Sequence, residues 1–187
     1  MKERPILFTP DNVRAIREDR KTQTRRVIKP QPDKGCDGMS SELLTEAWLA
    51  GFVDAKCRYG EPGDRLYVKE GVIVFDGVNN ANALVGYYMD GIRPTLRGHK
   101  RLTAMFMPKW AARFWLELTD VRVQRVQEIS LEDALAEGID PVVELLGGFK
   151  ASDPVGAYKA LWDSINGKTH PWSANPWVWA ITFRRLP

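Results

Sequence analysis

Arg65-Leu66-Tyr67-Val68-Lys69-Glu70-Gly71-Val72-Ile73-Val74-Phe75 is the longest β-like run of the chain. Its β-branched and aromatic residues suit a pleated, half-buried surface. The strong turn signal Tyr59-Gly60-Glu61-Pro62-Gly63-Asp64 stands immediately before it, so the run reads as a central strand. Val85 to Met89 is expected to pair with it across the Asn-rich turn around Asn79-Asn80. Arg113 to Gln127 supplies another long strand, with Phe114, Leu116 and Leu118 alternating against Trp115, Glu117 and Thr119. The last strand, Trp177 to Phe183, places Trp177, Trp179, Ile181 and Phe183 on one side.

Outside these runs the pattern changes period. Thr9-Pro10-Asp11 is a helix start with proline in the first turn, and residues 12 to 19 follow as a short helix with Val13 and Ile16 inward. Thr24 to Lys29 is extended and stopped by Pro30-Gln31-Pro32, because proline removes a ladder donor and restricts the residue before it. Residues 33 to 62, with an amphipathic stretch from Ser41 to Phe52, read as an insertion between strands. Ser130-Leu131-Glu132-Asp133 is a capping-box-like start of a helix that runs through Glu137 and is closed by Gly138. A second helix spans Pro154 to Ile165, with Tyr158, Leu161, Trp162 and Ile165 on one face. Strands with inserted short helices, and no regular strand-helix alternation, point to α+β or a decorated barrel. No internal repeat or low-complexity linker divides residues 1 to 187, so one domain is expected.

The formal charge of +3 is too mild to demand a nucleic-acid partner. Its distribution is more telling: Arg14, Arg17, Arg20, Lys21, Arg25, Arg26 and Lys29 are opposed in that segment only by Glu18 and Asp19, which favours an anionic ligand. Cys36 and Cys57 suit a reducing cytosol, and with His99 and His170 they lack the close spacing of a zinc site, so neither metal nor cofactor is expected. There is no signal-like or membrane-spanning apolar run, and a cytoplasmic location is expected, with no membrane association and no obligate protein partner.

Asp19-Arg20-Lys21-Thr22-Gln23-Thr24-Arg25-Arg26 resembles the N-terminal signature of ASCH domains, in which a helix leads into a loop of the form G-x-K-T-x-T-x-R; here Asp19 stands where the family often has glycine. Gly63 to Glu70, Ile129 to Ile139, Leu161 to Lys168 and Asn175 to Trp179 look like the longer ASCH-like proteins of bacteriophages and prophages. The resemblance implies a PUA-like β-barrel decorated with short helices, in a group that handles RNA and nucleosides. One branch consists of amidohydrolases that remove the acetyl group from N4-acetylcytidine with a lysine, a threonine three residues later and a distant glutamate. Carried over by motif, those roles fall on Lys21, Thr24 and Glu137.

The residues admit that chemistry. Amide hydrolysis needs a nucleophile, a base and donors for the developing oxyanion. Thr24 supplies the hydroxyl, and Lys21 becomes a base if burial and the charges of Arg20, Arg25 and Arg26 lower its pKa. Arg26 and Arg25 are candidates for oxyanion or phosphate, and Tyr67, Lys69 and Glu70 for the cavity lining. One geometric condition applies: residues three apart on a straight strand face opposite sides, so Lys21 and Thr24 meet only if the chain turns. Bland alternatives stand beside these roles. Lys21 to Thr24 as a polar loop capping backbone groups, Glu137 as a solvated helix residue, and Tyr67, Lys69 and Glu70 as the wet face of a strand are each ordinary. Trp115, Trp162, Trp177 and Trp179 fall at packing periods, leaving Trp48, Trp110 and Trp172 as candidates for base contact. The functional readings are an amidohydrolase of an N4-acylated nucleoside, a non-catalytic module that binds a modified base or single-stranded RNA, and a ribonuclease.

Overall fold

The computed structural model describes every residue except 33–37, 52–56, 77–81, 96, 141–142, 145–149 and 152. In chain order the elements are β1 (Glu3–Leu7), α1 (Pro10–Arg17), β2 (Gln23–Val27), α2 (Ser41–Leu49), β3 (Arg65–Lys69), β4 (Val72–Asp76), β5 (Asn82–Tyr87), β6 (His99–Leu102), β7 (Trp115–Arg125), α3 (Leu131–Ala136), β8 (Val143–Glu144), β9 (Lys150–Ala151), α4 (Pro154–Asn166) and β10 (Trp177–Arg185). Helix starts are where the capping residues put them: the hydroxyls of Thr9, Ser40 and Ser130 and the carboxylate of Asp153 each accept from a backbone N–H of the first turn. The expected Asn79-Asn80 turn lies outside the described residues, as does Cys36.

A five-stranded sheet in the order β1-β3-β7-β10-β2 forms the body, with β1 and β3 parallel and the other pairs antiparallel. Val13 and Ile16 of α1 and Leu44 of α2 pack with Trp177, Trp179, Ile181 and Phe183 on one face. Ala134 of α3, with Tyr158 and Trp162 of α4, covers Val178 on the other. This explains why Trp177 through Ile181 are buried without a break. A strand sandwiched between helical layers has no wet face, so its period-two pattern disappears.

Two expectations change at this level. The run Arg65 to Phe75 is not one central strand: it breaks at Glu70-Gly71, with β3 in the five-stranded sheet and β4 at the centre of a second sheet, β5-β4-β6. Gly71 sits against the Tyr88 ring, where a Cβ would lie 2.5 Å from the Tyr88 Cδ2. Its carbonyl accepts from the Tyr88 N–H at 3.0 Å, and the Glu70 N–H turns to the Met107 sulfur at 3.1 Å. Both halves are equally β-like in composition, so the break is written in contacts rather than in periodicity. The architecture is α+β, as expected, but among the described residues no sheet closes on itself, and β1 and β2 stand as the two edges of the large sheet. Among the described residues no helix is long and apolar enough to cross a membrane.

Candidate functional site

The end of α1 prepares the site. Asp19 takes φ +55°, a left-handed conformation that usually favours glycine, and Asp and Asn adopt it more readily than other side chains. Its carboxylate is held by Arg185 Nε and Nη2, both at 2.8 Å, which also keeps its pKa below the usual carboxylate range. The N–H groups of Arg20 and Lys21 then both donate to the Ala15 carbonyl, at 2.9 and 3.1 Å. The chain is thereby folded back, and Lys21 enters an isolated antiparallel bridge with Glu137 before β2 begins. The turn at this position is therefore made with aspartate rather than glycine.

Glu137 is the C-terminal cap of α3. Gly138 follows at φ +84°, and a Cβ there would stand 2.9 Å from the Ala15 Cβ and 3.1 Å from the Lys21 Cβ. Glycine thus permits the end of α3 to lie directly on the end of α1. Across this contact Lys21 Nζ donates to Glu137 Oε2 and to its backbone carbonyl, each at 2.7 Å. Arg25 Nη1 reaches Glu137 Oε1 at 3.3 Å and Gln23 Oε1 at 2.6 Å, while Arg25 Nη2 reaches Asp133 Oδ2 at 2.6 Å.

Lys21 and Glu137 are only 3% and 4% exposed, so Glu137 is not a solvated helix residue. Burial drives the Lys21 amine below the ordinary lysine range; the charge and hydrogen bond of Glu137 resist this, and the charges of Arg26 and Arg25 reinforce it. The Tyr158 hydroxyl is pushed well up, first by burial and then by the negative charge of Glu137, and so stays protonated.

These groups open onto a cavity of about 380 Å³ whose wall includes Lys21, Thr24, Arg25, Arg26 and Glu137. Lys21 lies outside the regular strand, β2 is an edge strand, and both Lys21 and Thr24 contribute to the cavity wall. Thr24 is 4% exposed, and among the described residues its hydroxyl makes no hydrogen bond. The apolar wall comes from Tyr158, Trp162 and Trp179.

No family model matches the chain, and no curated protein matches it. Among solved structures, protein EF3133 of Enterococcus faecalis, assigned to DUF984, is similar with a TM-score of 0.44 at 10% identity, over 100% of this chain and 80% of that one. A likeness of that degree is too slight to transfer a fold or an activity.

Tyr67, Lys69 and Glu70 are not brought to this cavity. Tyr67 packs its ring on Trp115, with centroids 5.7 Å apart, and Lys69 Nζ donates to the Met105 carbonyl at 2.5 Å. Glu70 is buried in a two-pronged pair with Arg113 Nε and Nη2, at 2.8 and 2.9 Å, and helps to hold the small sheet to the body. These residues belong to β3 and its exit, and β3 is separated from β2 by β7 and β10. Trp162, Trp177 and Trp179 are buried in the core and Trp115 packs on Tyr67, as their periods predicted, while the candidates for base contact do not reach the cavity. Trp162 and Trp179 line the cavity, whereas Trp48 packs on Trp179 at 4.6 Å, Trp172 packs on Tyr158 at 6.2 Å and Trp110 lies outside the cavity wall. A packing period identifies the inward face of an element without saying whether a hollow or a neighbour lies beyond it. Lys29, Arg58 and Tyr59 join the wall from the flanks of the long insertion, and only the clustering of basic residues before Lys29 signalled any of them.

Proposed function

We propose that this chain is an amide hydrolase that removes the acyl group from N4-acetylcytidine or a related modified nucleoside, on a scaffold of the ASCH, PUA-like type. The observation that carries the reading is the convergence of the Lys21 amine and the Glu137 carboxylate, 2.7 Å apart, with Thr24 in one cavity. Thr24 Oγ attacks the acyl carbonyl while neutral Lys21 takes its proton. Only the deprotonated fraction of Lys21 acts as base, and the ammonium it becomes is received again by Glu137. Arg25 offers donors to the oxyanion. The leaving exocyclic amine receives the proton from Lys21, and water, activated by the same amine, releases the acyl group from Thr24. The rings of Tyr158, Trp162 and Trp179 offer apolar surface for the base.

A second reading, capture of a modified base or single-stranded RNA without chemistry, is favoured by one feature: Lys21 is held on two oxygens of Glu137, an arrangement suited to a fixed charge. Incubation with N4-acetylcytidine, followed by chromatography for cytidine and acetate, separates the two. Hydrolysis should proceed with the parent and vanish in Thr24→Ala and Lys21→Ala. Binding with intact substrate at high protein concentration would select the module, cleavage of an oligonucleotide would select a ribonuclease, and the absence of all three would remove every reading.

A further inference from the structure

The cavity wall carries five cationic side chains, Lys21, Arg25, Arg26, Lys29 and Arg58, against the single carboxylate of Glu137. Two of the five are neutralised at depth: Lys21 pairs with Glu137, and Arg25 with Glu137 and Asp133. Arg26, Lys29 and Arg58 have no carboxylate partner among the described residues. Arg26 is half-buried and held by a bond from Nη2 to the Leu7 carbonyl at 2.8 Å, while its Nε is buried with no partner. Lys29 and Arg58 are exposed. The guanidinium groups of Arg26 and Arg58 both lie against one ring, 5.8 and 5.5 Å from the Tyr59 centroid. Two like charges gathered around one aromatic ring favour an anion between or beside them.

We infer that Arg26, Lys29 and Arg58 form a phosphate subsite at the mouth of this cavity, so that the ligand is a phosphorylated nucleotide rather than a free nucleoside. The inference rests on the proposed nucleoside reading for the base end of the ligand alone. Guanidinium forks match the oxygens of phosphate in pairs, and the Lys29 ammonium adds a mobile point charge. The neutralised depth takes the uncharged base; the unpaired mouth takes the anion. A terminal phosphomonoester and the phosphodiester of an RNA strand share this chemistry.

Calorimetric titration of the full chain decides it, with cytidine, cytidine 5′-monophosphate and a dinucleotide that has a phosphodiester but no terminal phosphate. The parent should bind the monophosphate about tenfold or more tightly over cytidine at low salt, with the gain shrinking as salt is added. The exposed double variant Lys29→Gln/Arg58→Gln should leave cytidine affinity unchanged and lose most of that gain. An equal gain with the dinucleotide assigns the subsite to a strand phosphate, and its absence assigns it to a terminal one. Equal binding of cytidine and its monophosphate, a preference that survives in the double variant, or binding of neither would overturn the inference. Titration is read without turnover: a phosphate preference with no deacetylation retires the hydrolase and keeps the subsite, and deacetylation with no preference does the reverse.

Discussion

Glu137→Gln tests the ion pair on which the site is built. The substitution keeps the shape of the side chain but leaves Lys21, 3% exposed, without its counter-charge. Removing one partner of a buried pair costs roughly 3–5 kcal/mol. Lys21 escapes part of this by shedding its proton, and deprotonating a lysine of ordinary pKa 10.5 at pH 7 costs at most about 5 kcal/mol. The expected loss is therefore about 3 kcal/mol, or roughly 6–12 °C in Tm for a chain of this size. Because the folded-state pKa of Lys21 lies below its unfolded value, the unfolded chain holds more protons between the two, and stability contributed by this group rises with pH across that window. Glu137 holds the Lys21 pKa up; without it the window extends lower, so the deficit should be largest near neutrality and shrink toward pH 10. Urea unfolding of parent and variant at both pH values measures it. A deficit below about 1 kcal/mol at pH 7, or one that grows with pH, would refute the reasoning. The double variant Lys21→Met/Glu137→Gln should recover at least half of the loss, because no unpaired charge then remains and Arg25 keeps Asp133 at 2.6 Å.

Gly138→Ala should destabilise by about 2 kcal/mol, from a strained left-handed backbone and the crowding of Ala15 and Lys21, and should lower turnover as well; an unchanged urea midpoint would show that the two helix ends do not need this contact. Glu70→Gln should cost about 2 kcal/mol by weakening the Arg113 pair yet leave nucleotide affinity unchanged, which titration checks. If Lys21 is the base, kcat/KM should rise with pH as the amine loses its proton and level off below 10.5. In Glu137→Gln the residual rise should move to lower pH, and a midpoint at or above the ordinary lysine value would remove Lys21 from that role.

Much of the local structure was legible residue by residue. Thr9, Ser130 and the proline of Pro154 mark helix starts because a first turn needs acceptors for its orphan N–H groups and tolerates a residue without one. The alternation from Leu116 onward marks β7 because its neighbours differ from face to face. His99 to Leu102, rich in charge, carries no such signal and becomes β6 only by pairing with Val72 to Phe75. The parallel pairing of Glu3 to Leu7 with Arg65 to Lys69 is equally silent in the sequence, since a ladder is made by backbone groups that every residue possesses.

The candidate site divides in the same way. Sequence alone determined that a basic segment with a lysine and a threonine follows a short helix, and that a glutamate closes a later one, because capping and turn preferences act over a few neighbouring residues. Only the tertiary structure decided that Lys21 meets Glu137, 116 residues away, that Glu70 spends its charge on Arg113, and that Trp162 and Trp179 face a hollow. Periodicity orients a side chain relative to its own helix or strand; what stands opposite is set by how the layers pack, and with it which charges are stripped of water and which remain unpaired.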